Sequence, residues 1–151
     1  KTVKTIRGPK NVQDPVLNTL SKLNCILACI EAKKNNADEA LMHDINGNIA
    51  TNNSTHFFFI KDNKVYTSTG NYCVKGITRK NVIDICKANK IKVYQKNFKL
   101  IDVLKADEAF VTGTFANIIP VKKINNKKFS IKKSNLTFII RNLYLEKINN
   151  Y

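Results

Sequence analysis

Three short polar segments of this sequence contain residue types that bind anions. In residues 75–79 (KGITR), Gly76 stands before a predicted helix, whose free amide N–H groups and dipole favour a phosphate. In residues 112–114 (TGT), two hydroxyls flank a glycine at the end of an apolar run, so hydroxyl and amide donors can meet one anion. Residues 50–55 (ATNNST) precede another apolar run. Taken singly, each segment is better explained as an ordinary turn or helix start.

Hydrophobic periodicity predicts the helices that must hold these segments. Residues 19–36 repeat leucine and isoleucine at three- and four-residue intervals, which predicts an amphipathic helix closed by Asn35 and Asn36. A second helix is predicted after Gly76, with Thr78 available as its cap. A short helical turn is predicted in LIDVLKA, and a closing helix over residues 136–148.

Alternating and continuous apolar runs predict the strands. They are EALMHD, HFFFIK, VYTS, IKVYQKNF, EAFVTG and NIIPVKK, with turns at Asn46-Gly47 and at DNK. Residues 1–17, which Gly8-Pro9 and Asp14-Pro15 interrupt, are predicted to be an extended lead-in. The order β-β-β-α-β-α-β-β-α mixes hairpins with crossovers, so the sequence predicts an α/β fold with a mixed sheet.

The formal net charge of +15 over 151 residues raises the possibility of a nucleic-acid partner. The basic residues are dispersed, however, and the chain is rich in Lys, Asn and Ile together, as AT-rich coding imposes. The densest stretch, VKKINNKKFSIKK, is typical of a solvated hairpin turning at Asn125-Asn126. We therefore expect no dedicated nucleic-acid function.

The four cysteines, at 25, 29, 73 and 86, form no CxxC pair and have no histidine at metal-ligand spacing. We interpret them as small buried side chains of a protein in the reducing cytoplasm, and we expect no metal. No apolar run approaches the ~20 residues that span a bilayer, and no signal peptide is recognisable. We expect a cytoplasmic protein without a membrane partner.

Taken in order, five phrases resemble the class IV aminotransferase family of pyridoxal-phosphate enzymes, which includes branched-chain and D-amino-acid aminotransferases and aminodeoxychorismate lyase. The phrases are ADEALMHDINGNIAT, HFFFIKDNKVYTS, GITRKNVIDICK, ADEAFVTGT and IIPVKKINNKKF. The resemblance implies the larger, C-terminal domain of the D-amino-acid aminotransferase-like fold over residues 18–151, after an interdomain lead-in at 1–17. It also implies pyridoxal 5'-phosphate as cofactor, an amino-acid or keto-acid substrate, a homodimer, and a smaller N-terminal domain that is absent from this chain.

The resemblance assigns roles to individual residues as well. It implies that the cofactor phosphate is held at Gly76, Ile77, Thr78, Gly113 and Thr114. The backbone of Thr114 and Phe115 falls where many members of the family meet the substrate carboxylate.

Two positions depart from the family pattern. The Schiff-base lysine of the family matches Asn18, and a carboxamide cannot form an imine with an aldehyde. The nearest amine is Lys22, one turn into the predicted helix, which we expect to point into the pocket and replace it. The glutamate that keeps the pyridine nitrogen protonated matches Thr51, and a hydroxyl does not stabilise a pyridinium as a carboxylate does.

These departures leave three functions open. The first is a diverged aminotransferase-like enzyme that uses Lys22. The second is a lyase of the aminodeoxychorismate lyase type. The third is a non-catalytic member of the family that binds the cofactor without imine chemistry. In each case we expect this chain by itself to be inactive.

Overall fold

The computed structural model describes residues 1–149 of the chain. A mixed five-stranded sheet lies at its centre, accompanied by two small two-stranded sheets and four helices. The elements in chain order are α1 (Leu23–Lys34), β1 (Leu41–His43), β2 (Ile49–Asn52), β3 (His56–Lys61), β4 (Lys64–Thr67), α2 (Ile77–Ala88), β5 (Val93–Gln95), α3 (Leu100–Leu104), β6 (Glu108–Gly113), β7 (Asn117–Pro120), β8 (Lys123–Ile124), β9 (Lys127–Lys128) and α4 (Leu136–Asn149). The predicted α/β class with a mixed sheet is confirmed.

The central sheet has the strand order β5-β4-β3-β6-β7. Strand β3 pairs antiparallel with β4 and with β6, and β6 pairs antiparallel with β7. Strands β4 and β5 are parallel because α2 carries the chain over between them. The β3–β4 turn uses Asp62 and Asn63, both at positive φ (50° and 54°), a conformation that Asp and Asn adopt more readily than most residues.

The two faces of the sheet carry separate cores because side chains alternate along each strand. On one face Phe58 and Phe110 stack with ring centroids 4.9 Å apart beneath α2 and α4. On the other face Phe57, Phe59 and Val111 pack with residues of β1, β2 and α3. Fully burying one such aromatic side chain contributes about 1.5–3 kcal/mol, so β3 and β6 together anchor the fold.

Several element boundaries differ from the prediction. Strand β2 was missed because Thr51 and Asn52 are polar, yet all four of its residues are buried. The cap assigned to Thr78 is wrong: Gly76 is the N-cap residue of α2 and Thr78 lies buried inside the helix. The predicted strand IKVYQKNF shortens to Val93–Gln95, an edge strand.

Helix α1 begins at Leu23 rather than near Thr19. It packs through small side chains, with Ala28 and Ala32 fully buried beside Val3 and Met42. The leucine and isoleucine stripe that predicted the helix faces outward instead. Its members with their exposed fractions are Leu20 (101%), Leu23 (65%), Ile26 (51%), Leu27 (48%) and Ile30 (46%).

The cysteines divide into two pairs. Cys73 and Cys86 are buried, and burial raises the pKa of the Cys86 thiol to about 12. Cys25 and Cys29, in contrast, are only partly buried, so the expectation of burial is wrong for them. The Cys25 Sγ accepts a hydrogen bond from Arg7 Nη1 at 2.7 Å.

The chain before α1 runs along the domain. Thr2 forms a parallel bridge with Leu41 and hydrogen-bonds Asn125, in the turn of the β8–β9 hairpin that the sequence predicted. The Arg7 amide donates to the carbonyl of His43 at 2.7 Å. Within residues 1–149, no helix has both the length and the apolar character to cross a bilayer.

Candidate functional site

The three polar segments converge at the beginning of β3. Residues 50–55 lead directly into His56, the first residue of that strand. His56 is the register partner of Thr112 in β6. A Cβ added to Gly76 would lie 2.3 Å from His56 Cε1, and one added to Gly113 would lie 3.4 Å from Thr55 Cγ2. Segments far apart in sequence therefore surround one end of the central strands.

The amino terminus of α2 has the features of an anion site. Gly76 is its N-cap residue, and within residues 1–149 no side chain caps the first turn. The first amides of a helix have no intrahelical acceptor, so those of Ile77 and Thr78 can donate to a ligand. The helix dipole adds a partial positive charge at the same place.

Position 76 requires glycine for steric reasons. Its φ of −68° is open to any residue, so the backbone conformation imposes nothing. The imidazole of His56, however, occupies the space of a side chain, with Cε1, Nδ1 and Nε2 at 2.3, 2.9 and 3.1 Å from a Cβ position. The glycine therefore allows the helix start to approach the beginning of β3.

A hydrogen bond from His56 links the beginning of β3 to the loop before α2. The imidazole Nε2 lies 2.8 Å from the carbonyl oxygen of Val74, an acceptor, so Nε2 carries the hydrogen and Nδ1 keeps a lone pair in the neutral ring. Desolvation lowers the pKa of His56. The hydrogen bond to Val74 raises the pKa, and the positive charge of Arg79 lowers it further. The sequence reasoning missed His56, since its contact with Gly76 joins residues 20 positions apart.

Arg79 holds the loop that precedes α2. Its Nη2 donates to the carbonyl of Ser68 at 2.6 Å and to Gln95 Oε1 at 3.1 Å. The guanidinium also packs against Gly70, which has a φ of +92°. Burial lowers the pKa of Arg79, which still remains a cation at neutral pH because its ordinary value is so high.

The hydroxyls of residues 112–114 lie in different environments. Thr112 is fully buried, and its Oγ1 has no hydrogen-bond partner within the described chain. Thr114 is exposed in the turn that joins β6 to β7. Phe115 follows in the same turn and is fully exposed. Gly113 lies beside Thr55, since a Cβ there would be in ordinary contact with Thr55 Cγ2 at 3.4 Å.

Residues 51–55 form a turn held by a carboxylate that sequence reasoning missed. Glu39 accepts hydrogen bonds from Asn52 Nδ2 at 2.8 Å, from Thr55 Oγ1 at 2.5 Å and from the hydroxyl of Ser54. Thr51 Oγ1 donates to the Thr55 carbonyl at 3.0 Å. The Thr51 hydrogen is thus engaged within the turn. The acid at the third position of ADEA was the available signal for this role.

Asn18 and Lys22 form an exposed pair. Lys22 Nζ donates to Asn18 Oδ1 at 2.5 Å. The expectation that Lys22 lies one turn inside the helix is wrong, because it is the N-cap residue of α1. The amine of Lys22 nevertheless lies at the tip of the Asn18 side chain.

A cavity of about 820 Å³ opens beside the amino terminus of α2. Gly76 and Ile77 line it together with Val16 of the segment that leads to α1. The charged side chains that line it are Lys10, Asp14, Lys75, Arg79 and Lys80. Four of these five are basic, so the surroundings favour an anion. Among residues 1–149, no group of three or more His, Cys, Asp or Glu side chains could hold a metal ion.

Comparison with known sequences gives a consistent result. The profile of the family described as "Amino-transferase class IV" matches residues 1–124. A branched-chain-amino-acid aminotransferase of Pseudomonas aeruginosa is 36% identical over 106 residues, which cover 70% of this chain and 34% of that protein. A D-alanine aminotransferase of Listeria innocua is 33% identical over 135 residues, which cover 87% of this chain and 46% of that protein. The chain thus spans less than half of either relative.

Comparison with solved structures agrees. The branched-chain amino acid aminotransferase from Thermobaculum terrenum, solved in its PLP-form (holo-form), superposes with a TM-score of 0.93 at 26% identity. The match covers 99% of this chain and 50% of that one. The whole arrangement of helices and strands described above is therefore shared with that structure.

Proposed function

Because this chain belongs to the class IV aminotransferase family, we propose that it is the C-terminal, cofactor-binding part of a pyridoxal-phosphate enzyme acting on an amino acid or keto acid. The observation that carries this proposal is the convergence of the α2 start and the β6 end on His56, with Gly76 in contact with its ring. On this proposal residues 1–17 are the lead-in between domains and residues 18–151 the cofactor domain.

The residues at the convergence fit the phosphate of the cofactor. Gly76, Ile77 and Thr78 offer an uncapped helix start, as far as the described chain extends, and Thr114 adds an exposed hydroxyl in the turn after β6. The basic lining of the adjoining cavity adds a favourable field. These groups would hold and orient the phosphate, while the turn backbone at Thr114 and Phe115 is available to a substrate carboxylate.

Lys22 supplies the amine on this proposal. Its Nζ hydrogen-bonds Asn18, the position that matches the family lysine, so the amine and the carboxamide share one location. When bound, pyridoxal phosphate supplies a reactive aldehyde and an electron-accepting ring.

The residue expected to lie beside the ring nitrogen of the cofactor carries no charge. Thr51 would face this nitrogen with a hydroxyl whose hydrogen is already donated to the Thr55 carbonyl. Glu39, the carboxylate that holds this turn, is engaged by Asn52, Ser54 and Thr55. This arrangement favours chemistry that depends less on a protonated ring. It keeps two alternatives in view: a lyase of the aminodeoxychorismate lyase type, and a cofactor-binding member without catalysis.

The partners follow from the same premise. We expect the full-length protein to contain a further N-terminal domain and to form a homodimer. The support is the share of the Thermobaculum terrenum chain that this chain covers, about half, and the exposed apolar stripe of α1.

The test is the affinity of the full-length protein for pyridoxamine 5'-phosphate, which has no aldehyde and so reports phosphate and ring binding alone. A methyl group at position 76 must displace the His56 ring, so Gly76→Ala is expected to weaken binding at least tenfold. Gly8→Ala is the matched control, because a Cβ there has nothing within 4 Å. A folded Gly76→Ala protein with unchanged affinity would remove this convergence from the cofactor site.

A further inference from the structure

The hydrogen bond from His56 to Val74, called the clamp here, does not by itself require a histidine at position 56. Within the described chain, Nε2 is the ring nitrogen that forms a hydrogen bond, which it donates to the Val74 carbonyl. The other, Nδ1, lies 2.9 Å from the Cβ position of Gly76, at the N-cap of α2. An amide side chain could make the same clamp without a titratable group. The imidazole therefore adds a proton-binding atom at the helix start.

The hydroxyl of Thr112, on the same side of the sheet as His56, has no hydrogen-bond partner within the described chain. His56 and Thr112 are directly opposed in the β3–β6 pairing, and opposed side chains in an antiparallel pair share a face. That face is the one under α2 and α4, since Phe58 and Phe110 are two residues further along the same strands. The Thr112 side chain is fully buried, yet its hydroxyl has no hydrogen-bond partner within the described chain. A buried hydroxyl left in this state costs free energy unless a ligand meets it.

We propose that His56 and Thr112 form the inner wall of the anion site, and that the His56 imidazole takes up a proton when a phosphate dianion binds. This inference rests on the proposed function and extends it to two residues and a proton. The ligand chemistry is that of a phosphate monoester, for which Thr112 supplies a hydroxyl donor and protonated His56 a second N–H, from Nδ1.

The direction of the proton transfer follows from the surroundings. Without ligand, desolvation holds the pKa of His56 below its ordinary value. Arg79 of α2 and Arg7 of the lead-in lower it further, while the Val74 hydrogen bond and Glu39, ahead of β1, raise it. A dianion beside the ring stabilises the imidazolium and so raises the pKa of His56. Binding therefore raises the pKa, and a proton is taken up at any pH between the free and the bound value.

The consequence is an affinity that depends on pH. In the window between the two pKa values, the affinity for the dianion increases as pH falls, by up to about tenfold per pH unit for one linked proton. Below the free pKa the imidazole is already charged and this dependence ends. In a protein with glutamine at position 56, which keeps a donor for Val74 but cannot titrate, the dependence contributed by this site is absent.

The experiment is calorimetric titration of the full-length protein with pyridoxamine 5'-phosphate at about pH 7.5, where a phosphate monoester is largely dianionic. Repeating it in buffers of different ionisation enthalpy gives the protons taken up per ligand. We expect a net proton uptake in the wild type, its loss in His56→Gln, and no change in His43→Gln, which replaces the other histidine of this chain. Thr112→Val should weaken binding while leaving the uptake in place.

The outcomes separate the two proposals. If pyridoxamine 5'-phosphate does not bind the wild-type protein, the proposed function fails. If it binds with the same proton uptake in wild type and in a His56→Gln protein of unchanged melting temperature, the role of His56 is overturned and the proposed function remains. Should His56→Gln fail to fold, the wild-type titration decides: binding without proton uptake between about pH 6 and pH 8 overturns the inference.

Discussion

The two ends of the proposed cofactor site differ in how firmly the fold holds them. At the phosphate end, Gly76 is in contact with the His56 ring, and Thr112 is buried in the central sheet. At the amine end, Asn18 and Lys22 are exposed and meet mainly each other. The phosphate end thus depends on core packing, whereas the amine end lies where substitutions cost the fold little. This contrast explains how a chain can keep a cofactor-binding fold while the groups for chemistry change.

The largest expected effect concerns the amine. In the full-length protein, borohydride reduction with pyridoxal phosphate followed by peptide mass mapping should place the cofactor on Lys22, and Lys22→Ala should abolish the label. Lys33→Ala, in the last turn of the same helix, is the control. The double variant Lys22→Ala with Asn18→Lys should recover a label, now at position 18. A label on a different lysine in the wild type would contradict the assignment.

The next effect concerns the phosphate end. Replacing Thr78 and Thr114 together by valine removes two hydroxyls while keeping the side-chain shape. Valine keeps the Thr78 amide, so the phosphate donor lost is the Thr114 hydroxyl; a hydrogen bond to a charged group contributes about 1.5–3 kcal/mol, and affinity for pyridoxamine 5'-phosphate should fall by about tenfold or more. Asn18→Ala, at the amine end, should leave that affinity within about twofold, since it removes no phosphate donor. An equal loss of affinity in the two variants would contradict the assignment of phosphate binding to one end of the site.

The phosphate end was predictable from sequence in part. The apolar runs in HFFFIK and EAFVTG predicted β3 and β6 with the bounds that the structure has. Their pairing then brings residues 55–56 beside residues 112–113. The contact of His56 with Gly76 could not be predicted, because it depends on where α2 packs against the sheet.

The amine end was less predictable for a physical reason. The apolar stripe of α1 predicted a helix correctly but not its beginning, because that stripe does not face the core of this chain. Leu20 belongs to the repeat but precedes the helix, so the helix was predicted to begin too early and Lys22 was expected to lie inside it. Strand β2 was missed because it contains buried polar residues, whose side-chain donors bond locally: Thr51 Oγ1 donates to the Thr55 carbonyl, and Asn52 Nδ2 donates to Glu39.

A third prediction tests the support of the 51–55 turn, which lies between the two ends. Glu39→Gln replaces a charged acceptor of three hydrogen bonds by a neutral amide that must also satisfy two N–H donors. We expect the free energy of unfolding to fall by about 1.5–3 kcal/mol, measured by urea denaturation. Glu146→Gln, on the exposed surface of α4, should change it by less than about 0.5 kcal/mol. Equal stability in the two variants would mean that Glu39 does not hold the turn.

The smallest effect on stability, and the last prediction, concerns the stripe of α1. Leu23 and Ile26 are 65% and 51% exposed, so replacing both by glutamine removes little buried apolar area from this chain. The free energy of unfolding of the isolated chain should change by less than about 0.5 kcal/mol per site. Its association should change much more, because a contiguous exposed apolar stripe favours contact with a second surface. Sedimentation of the wild-type chain should show concentration-dependent association that the double variant lacks, whereas Lys33→Gln on the same helix should behave as the wild type does. A wild-type chain that sediments as a monomer across a wide concentration range would leave the stripe without this role.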